Sequence, residues 1–526
     1  MLFRTFGAGL CGTEGFPVCC EADVENGFPQ INFIGSLSQS VRESSDRVRT
    51  AIANTGLHLE PRHVTISLSP GDVRKEGCAY DLPVAAALLG AYGYLPDTLT
   101  KNALLVGELS LGGEILPVNG VIAMVSAARD AGLKRCFLPS GNLREGSVVK
   151  GIDCYGVPTL QELLDLLTGR HPLPEPAYYE DPPEELFSSP GFSDICGQEL
   201  AKRATLLAAG GRHNILYIGP AGTGKTMLAS RLPSILPGMT TEERLELTRV
   251  YSISGLLDPE EPFIRRRPFR SPHHTITPQA LSGGGRIPVP GEVSLAHHGV
   301  LFLDELPEFK AGSLEILRQP LEEKKIHLSR VSGSVTFPAS FQLVCAMNPC
   351  RCGFWPDRER CRCTELQVRS YISRISKPLL DRIDLCVETV PVTFRDLSRR
   401  PDKDSCLYLS QEVERVRRIQ AERFRGSRIH FNSEMDVSQI EVFCPLPVKE
   451  KKFLETVYEN SGMSARALHK ILRVARTAAD LAGVKDIRHE DLCEAIAYRS
   501  LENKYWNPAP EAARIRRKYH DRQKRN

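Results

Sequence analysis

The chain lacks three features that would decide its class at once: a strong net charge, a long apolar run and a disulfide framework. Lys and Arg number 67 against 64 Asp and Glu, so the net charge is only +3, and any surface that binds nucleic acid must be local. No apolar run reaches about 18 residues and the N-terminus has no signal-peptide core, which argues against a membrane span or secretion. We therefore expect a cytoplasmic protein with no membrane partner.

The chain has 16 cysteines, so cysteine itself is not scarce. Many of them, such as Cys136 and Cys345, lie inside apolar runs typical of strands. Scattered thiols of this kind, in a chain of this size, are typical of a protein from a reducing compartment.

A chain of 526 residues is too long for one core, and about three domains are expected. Strand-like and helix-like runs alternate before and after a segment rich in Pro and acidic residues, whereas the last part has helical periodicity. We predict an α/β multidomain protein with an N-terminal α/β domain at 1–169, a linker at 170–192, a central parallel-sheet domain at 193–400, a helical bundle at 401–505 and a basic tail at 506–526. The tail is either solvated or a binding arm.

A phosphate-binding loop lies in the stretch YIGPAGTGKTML, which fits the pattern G-x-x-x-x-G-K-[ST]. A strand-like run precedes it and a helix-like run follows it, as a P-loop requires. Backbone N–H groups hold phosphates, Lys225 reaches the β- and γ-phosphate oxygens, and Thr226 binds Mg²⁺. The pattern predicts ATP with Mg²⁺, held by Gly219, Pro220, Ala221, Gly222, Thr223, Gly224, Lys225 and Thr226.

Two further apolar strands end in polar residues suited to hydrolysis. GVLFLDELPEF delivers Asp304, placed to hold Mg²⁺, and Glu305, placed to orient and activate the attacking water. FQLVCAMNP delivers Asn348, which either touches the γ-phosphate or the water, or is simply a turn residue before proline. Arg382 and Arg466 are candidates to stabilise the transition-state charge; the alternative for either one is an ordinary surface or salt-bridged arginine. A protein that only bound nucleotide would not need Glu305, so hydrolysis is predicted.

The order of the motifs ICGQ, GPAGTGKT, VLFLDE, CAMNP, PLLDRIDL and SARALHKILRVARTAADL resembles that of AAA+ ATPases of the magnesium-chelatase-like branch. Over almost its full length the chain resembles the ComM/YifB type within that branch. The resemblance implies that Asn348 is sensor 1, that Arg382 is an arginine finger acting on the neighbouring subunit, and that Arg466 is sensor 2 in a helical lid. It also implies a ring, a homo-hexamer, because the finger of one subunit completes the site of the next.

The N-terminal domain resembles the proteolytic domain of Lon-type proteases, an S5-type α/β domain that uses a Ser–Lys dyad. By register from Gly77 and Gly120, the nucleophile position falls at Ala79 and the lysine position at Ile122. Neither residue can do this chemistry, since a nucleophile needs an O–H or S–H group and an activating base. Cys78 is adjacent but lacks the lysine. We expect a protease-like scaffold without peptidase activity.

A predicted hairpin is the first candidate for DNA contact. KIHLSRV is predicted to form its first strand and SVTFP its second, just before the strand that ends at Asn348. In related ring helicases, a hairpin inserted here projects into the central pore. Its basic residues either contact a phosphate backbone or decorate an ordinary surface hairpin; they are Lys324, Lys325, His327 and Arg330.

A second basic segment is RRRPFRSPHHTIT. Arginines interleaved with Phe269 suit single-stranded DNA, through phosphate contacts and base stacking. The paired His273 and His274 suggest a metal, but adjacent histidines generally point apart, so structural or nucleotide-proximal contacts are favoured. The arginines are Arg265, Arg266, Arg267 and Arg270.

Four cysteines in CRCGFWPDRERCRC form C-x-C-x8-C-x-C. Four thiols can close around Zn²⁺, in a structural role because a closed four-sulfur site leaves no open position. The spacing is tighter than the common C-x2-C pairs, so four free thiols are the alternative. The candidate ligands are Cys350, Cys352, Cys361 and Cys363.

These features, together with the resemblance, predict an ATP-hydrolysing hexameric DNA helicase or translocase. The specific function expected is branch migration on single-stranded, forked or branched DNA during natural transformation, with a recombinase or loading partner. One alternative is the motor subunit of a magnesium chelatase, although the chain has no integrin-type metal segment. Another is a protein-unfolding AAA+ ATPase, which an aromatic pore loop would favour; the basic hairpin favours nucleic acid.

Overall fold

The computed structural model describes six stretches of the chain: residues 2–182, 191–285, 288–330, 333–394, 405–461 and 463–506. The basic tail beyond residue 506 and residues 183–190 of the predicted linker lie outside them. Within the described stretches, the α/β architecture with a parallel sheet is confirmed. None of the helices in these stretches combines the length and apolar character needed to cross a membrane.

The N-terminal region is built on a seven-stranded sheet with helices packed against it. Its strands are β1 (Leu2–Cys11), β2 (Glu14–Glu25), β3 (Gln30–Ile34), β4 (His63–Ser69), β5 (Ala103–Leu105), β6 (Glu108–Leu109), β7 (Ile115–Leu116), β8 (Arg135–Pro139) and β9 (Asp153–Val157). The sheet has the order β3-β4-β2-β1-β5-β8-β9, and β6 pairs with β7 in a separate hairpin. Both pairings of β2 are antiparallel and the remaining ones are parallel.

Seven α-helices accompany this sheet. They are α1 (Gln39–Arg42), α2 (Ser44–Asn54), α3 (Asp81–Ala91), α4 (Asp97–Thr100), α5 (Val121–Asp130), α6 (Leu143–Ser147) and α7 (Leu160–Leu167). Helix α3 is buried along its whole length, as expected of a helix that is apolar on all sides. Helix α3 therefore belongs to the domain core, and Ala79 lies just before it.

The central region is built on a five-stranded parallel sheet. The strands are β10 (Ile215–Ile218), β11 (Phe269–Arg270), β12 (Gly283–Gly284), β13 (Val289–Pro290), β14 (Val300–Leu303), β15 (Lys325–Arg330), β16 (Gly333–Pro338), β17 (Gln342–Met347) and β18 (Leu385–Glu388). The sheet order is β11-β14-β17-β10-β18, and all its pairings are parallel. Every residue of β14 and β17 is buried, which is why both read as continuous apolar runs.

Nine α-helices belong to the described part of this region. They are α8 (Glu199–Gly211), α9 (Lys225–Arg231), α10 (Thr241–Ile253), α11 (Pro278–Ser282), α12 (Glu292–Leu295), α13 (Ala311–Ile316), α14 (Arg318–Glu323), α15 (Glu365–Ile372) and α16 (Lys377–Leu380). Short 3₁₀ helices also occur along the chain, at Ser140–Asn142, Phe192–Asp194, Leu232–Ile235, Leu306–Glu308 and Asn432–Glu434.

The C-terminal region is helical, as its periodicity predicts. Its α-helices are α17 (Ser405–Arg423), α18 (Val437–Phe443), α19 (Val448–Ser461), α20 (Ala465–Leu481) and α21 (His489–Tyr505). Helix α20 begins at Ser464, whose hydroxyl accepts from the backbone N–H of Ala467. Its apolar face joins the same core as the parallel sheet. Near its end, buried Asp480 pairs with Arg423 at 2.5 Å and Arg476 at 3.1 Å.

The N-terminal region is docked on the central region. The Glu145 carboxylate accepts hydrogen bonds from the backbone N–H of Ile122 at 3.2 Å and from the Ser252 hydroxyl on α10. The described part of the predicted linker is packed rather than free, because Asp181 pairs with Arg244 of α10 at 2.5 Å. The joint therefore rests on specific polar contacts.

Candidate ATP site

The predicted nucleotide residues meet at one edge of the parallel sheet. Strand β10 lies between β17 and β18, and it leads into the P-loop, which α9 follows. Strand β14 ends before Asp304 and β17 ends before Asn348. Because the carboxyl ends of parallel strands share an edge, three separate motifs converge there.

The P-loop contacts Thr389, which follows β18. The hydroxyls of Thr389 and Thr223 lie 2.7 Å apart. A Cβ added at Gly219 would lie 2.2 Å from the Thr389 hydroxyl, so only glycine permits this close approach. The sequence pattern did not identify Thr389, because it lies more than 160 residues from the loop it supports.

Lys225 lies at the centre of the loop. Its ammonium donates to the carbonyl oxygens of Gly219 and Pro220, both at 2.7 Å, and to Oδ1 of Asn348 at 3.1 Å. Burial lowers the pKa of Lys225, and the carboxylates of Asp304 and Glu305 oppose that shift. The lysine and the residue predicted as sensor 1 are thus in direct contact.

Thr226 and Asp304 are positioned to share a cation. The Thr226 hydroxyl donates to Oδ2 of Asp304 at 2.8 Å. Adjacent oxygen ligands of octahedral Mg²⁺, each about 2.1 Å from the ion, stand about 3 Å apart. The spacing and the oxygen chemistry of these two side chains fit Mg²⁺ as the sequence predicts.

Glu305 adopts an unusual backbone conformation. Its φ is +51°, and its N–H donates to Oδ1 of Asp304 at 2.8 Å. Its carboxylate is exposed and lies 3.4 Å from Nδ1 of His274. A non-glycine residue held at positive φ is a strained position of the kind found at functional sites. His274 therefore contacts the residue predicted to activate the attacking water, and a contact between the His pair and the nucleotide stays a prediction.

Gln198, of the ICGQ motif, is a second residue that the sequence did not assign a role. Its side-chain amide donates to the carbonyl oxygens of Thr223, at 3.0 Å, and Val390. It has φ +60° and immediately precedes α8. Gln198 therefore ties the P-loop to the segment after β18. The position of Gln198 in the ICGQ motif could have indicated a role at the ATP site.

The two predicted arginines lie in a different place from the P-loop. Arg382 pairs with Glu322, and Arg466 lies 3.9 Å from Asp381. Both line one cleft of about 1010 Å³ between the sheet domain and the helical bundle. The P-loop residues are not among those that line it. Their roles as arginine finger and sensor 2 remain predictions that require a second subunit to be tested.

The predicted hairpin is confirmed, since β15 and β16 pair antiparallel from Lys325–Pro338 to Arg330–Gly333. Lys325 and His327 are exposed on one face. Lys324 is not part of that face: it lies 3.7 Å from Glu434 and lines the cleft of Arg382. The four-residue basic face predicted for the hairpin is therefore smaller than expected.

The segment around Phe269 is not the free basic strip that its composition suggests. Arg267 and Arg270 pair with Glu243 and Glu292, at 3.0 Å and 2.6 Å, while Arg265 lies 3.6 Å from Asp181. The ring of Phe269 stacks on Phe302 with centroids 5.7 Å apart. These side chains are engaged inside the protein.

The former protease positions carry no catalytic machinery. Ala79 and Ile122 are buried among apolar neighbours. Burial raises the pKa of the Cys78 thiol, although Arg47 opposes that shift. A thiol kept protonated is a poor nucleophile. The absence of peptidase activity stays a prediction.

The parallel sheet with a central P-loop strand, the acidic and asparagine-bearing neighbours and the attached helical bundle define the class of AAA+ ATPases. Family models for magnesium chelatase subunit ChlI match residues 20–142 and 191–397, and one for its C-terminal part matches 404–499. The protein is thus a magnesium-chelatase-like AAA+ protein.

Within that class, the chain belongs to the ComM/YifB family. It is 39% identical to the competence protein ComM of Haemophilus influenzae over 496 residues, 93% of this chain and 96% of that protein. It is also 39% identical to YifB of Escherichia coli, an uncharacterized protein, with the same coverage. The N-terminal region alone is similar to Lon protease 2 of Bacillus subtilis, at 29% identity over 148 residues, about a quarter of each chain.

Proposed function

We propose that this chain forms a hexameric, ATP-hydrolysing DNA helicase or translocase of the cytoplasm that promotes branch migration during natural transformation. The observation that carries the proposal is the physical link between the ATP site and the hairpin. Similarity over nearly the full length to a protein named for competence supports the DNA substrate.

The chemistry proposed for the site uses the contacts already formed. Lys225 leaves the loop carbonyl oxygens to hold the β- and γ-phosphate oxygens, while the P-loop N–H groups bind the phosphates. Thr226 and Asp304 hold Mg²⁺, which supplies charge neutralisation on the phosphate oxygens when bound. Glu305 orients the attacking water and accepts its proton, and Asn348 contacts the γ-phosphate.

A ring is proposed because one subunit does not complete the site. Arg382 and Arg466 line a cleft that holds no P-loop residue. In a single chain, both arginines therefore face this shared cleft rather than the phosphate loop. In the proposed hexamer, Arg382 turns from Glu322 toward the γ-phosphate of the neighbouring subunit. Arginine fingers supplied in this way stabilise the charge of the transition state.

The hairpin is proposed to carry the motion to DNA. Strand β16 ends at Pro338, and β17 begins four residues later and runs to the residue before Asn348. The backbone N–H of Ala339 donates to the Lys324 carbonyl at 2.8 Å and closes the base of the hairpin. A change at Asn348 upon hydrolysis is thereby transmitted to the exposed Lys325 and His327.

The test is the steady-state ATPase rate without ligand and with single-stranded DNA, forked duplex or unfolded protein, at two salt concentrations. We expect stimulation by DNA that weakens at higher salt. Lys225→Ala abolishes the rate and serves as the inactive control. A rate indifferent to DNA refutes the proposal, and one raised only by unfolded protein supports the unfoldase instead.

A hairpin variant sharpens the test. Lys325→Ala combined with His327→Ala should lower DNA affinity and reduce the salt slope by about one per lysine lost, with the basal ATPase rate retained. Lys452→Ala, at an exposed lysine of α19, is the matched control and should change neither quantity. Equal DNA affinity in the hairpin variant would exclude this hairpin as the contact.

The magnesium-chelatase motor is the second candidate, supported by the family models themselves. A chelatase motor would be stimulated by its partner subunits and tetrapyrrole rather than by DNA. Absence of DNA stimulation at both salt concentrations, together with a rate unchanged by unfolded protein, would favour it.

A further inference from the structure

The four clustered cysteines come together in the structure. They belong to a loop, residues 349–363, that we call the cysteine knuckle, between β17 and α15. Sγ of Cys350 lies 3.3 Å from Sγ of Cys352 and 3.7 Å from Sγ of Cys361, and the latter two are 3.5 Å apart. With Cys363, all four sulfurs lie within 4.8 Å of one another.

These separations match the size of one metal ion. Four thiolates about 2.3 Å from tetrahedral Zn²⁺ stand about 3.8 Å from each other. A disulfide would bring two sulfurs to about 2.05 Å, and the described cysteines are all free. An iron–sulfur cluster would hold its thiolates further apart, because several irons and sulfides must fit between them. The geometry therefore favours a single soft, four-coordinate ion.

We propose that Cys350, Cys352, Cys361 and Cys363 bind one Zn²⁺, and that this ion braces the ATP site. The ligands are supported by the surrounding chain: the backbone N–H of Trp355 donates to Sγ of Cys350 at 3.4 Å. Such hydrogen bonds to ligand sulfur orient the first coordination shell. Cys350 and Cys361 are buried, whereas Cys352 is exposed, which gives the ion a route of entry.

The brace acts first on the P-loop. A Cβ added at Gly353, which has φ +84°, would lie 3.7 Å from the backbone nitrogen of Ala221 and 3.9 Å from Cα of Pro220. The backbone of the cysteine knuckle at Gly353 therefore lies beside that of the phosphate loop, with room for about one methyl group between them. The N–H of Gly353 donates to the Cys350 carbonyl at 3.0 Å, so the position of Gly353 depends on the fold of the metal ligands.

The brace acts secondly on Asn348. This residue precedes Cys350 by two positions, and its Oδ1 accepts from Lys225 at 3.1 Å. Fixing Cys350 on a metal restricts the backbone that carries the Asn348 amide. The ion would thus hold the phosphate loop and the γ-phosphate contact in one geometry.

The opposite face of the cysteine knuckle packs on the last helix. The rings of Trp355 and Tyr505 have centroids 5.4 Å apart, and the Tyr505 hydroxyl donates to Glu388 at the end of β18. The cysteine knuckle therefore lies between the P-loop and the end of the helical bundle. Cys350 and Cys361 pack in the same core cluster as residues of β10, β14 and β17, but those strands are buried along their whole length. Loss of the ion is therefore expected to loosen the ATP site while the sheet stays folded.

The metal site is tested by direct measurement on the full chain. Protein purified with Zn²⁺ present and no chelator should contain one zinc per chain by elemental analysis. Cobalt substitution should give the charge-transfer and visible bands of a tetrahedral four-sulfur site.

A ligand variant tests the assignment of the four cysteines. Cys352→Ser, at the most exposed ligand, should lower zinc affinity about 10–100-fold. Cys493→Ser, an exposed cysteine outside the cluster, should keep full occupancy. A folded wild-type chain without bound zinc, or with iron in its place, overturns the proposal.

The bracing role rests on the proposed ATPase activity and needs its own measurement. Zinc is removed from the wild-type protein with a thiol reagent and chelator, and helical content, ATP affinity and turnover are recorded before and after Zn²⁺ is returned. We expect turnover to fall about tenfold or more, with helical content retained and recovery on Zn²⁺. Full turnover by the folded, zinc-free protein refutes the brace. A zinc-loaded chain with no ATPase activity under any condition instead refutes the proposed function and leaves the metal site standing.

Discussion

The ATP site and the protease-like site differ in what their folds retain. At the ATP site, Lys225 touches Asn348, and Thr226 touches Asp304, within 3.1 Å. At the protease-like site the sheet and helices persist, but Ala79 is among the apolar side chains that stand there. The same fold can carry different side chains at corresponding positions, so function has to be argued from the side chains rather than from the fold.

The protease-like domain contacts the ATPase region close to its predicted lysine position. The helix that carries the former lysine position begins at Val121, and the backbone N–H of Ile122 donates to Glu145. The same carboxylate accepts from Ser252 on α10 of the ATPase region. Burial raises the pKa of Glu145, although these hydrogen bonds oppose the shift. The start of α5, where the lysine position of the protease-like domain falls, is thus tied to the ATPase region through Glu145.

The largest effect is expected at Arg382. Arg382→Ala should lower ATP turnover about 10³-fold or more, because the charge of the transition state loses its arginine, while ATP binding is retained. Steady-state hydrolysis and nucleotide binding check this. Arg418→Ala, at an exposed arginine of α17, is the control and should be unchanged.

Mixing subunits tests whether Arg382 acts across an interface. In rings mixed from Arg382→Ala and Glu305→Gln chains, some interfaces combine the intact Glu305 of one chain with the intact Arg382 of the other, so those sites carry neither defect. Such rings should recover part of the activity that neither variant has alone. Normal hydrolysis by Arg382→Ala in a verified hexamer would show that the finger is another residue.

Glu305→Gln should lower turnover about 10²–10⁴-fold, since the general base is lost. ATP affinity should remain, because the lysine, the threonine and the aspartate of the site are intact. Single-turnover hydrolysis and nucleotide binding measure the two quantities. Glu308→Gln, three residues along the chain, is the control and should hydrolyse at close to the normal rate; equal rates for both variants would remove Glu305 from the mechanism.

A smaller effect is expected where the two regions meet. Glu145→Ala leaves the Ser252 hydroxyl and the Ile122 N–H without their buried partner and should cost about 1–3 kcal/mol of stability. Thermal unfolding measures it. Glu260→Ala breaks only the exposed pair with Arg144 and should cost at most about 1 kcal/mol. Equal stability of the two variants would mean that the joint contributes little to folding.

The smallest effect is expected at Cys78, next to the nucleophile position at Ala79. Cys78→Ser should change neither ATP turnover nor DNA stimulation, and neither chain should cleave a denatured protein substrate. Peptide release and ATP hydrolysis are measured side by side. Proteolysis by the wild-type chain that disappears in Cys78→Ser would overturn the contrast between the two sites.

Much of the ATP site could be predicted because each of its parts is a short motif that is contiguous in sequence. A strand, a glycine loop and a helix place Lys225 and Thr226 together without help from the remaining chain. The carboxylates at Asp304 and Glu305 follow an apolar run whose end marks the edge of the sheet. The pairing of Arg267 and Arg270 could not be predicted in this way. Their own segment is basic, and the acids that pair with them lie more than 20 residues away in the chain.

The amino-acid sequence by itself determined the class of the protein, because the class depends on residue identity within short local patterns. The same patterns predict its nucleotide chemistry and the absence of a protease dyad. Only the tertiary structure decided that His274 reaches Glu305, that Lys324 turns into the cleft of Arg382, and that the cysteine knuckle lies on the P-loop. The physical reason is that these contacts join segments far apart in the chain. Their meeting depends on strand order, crossover paths and side-chain packing, which no local pattern specifies.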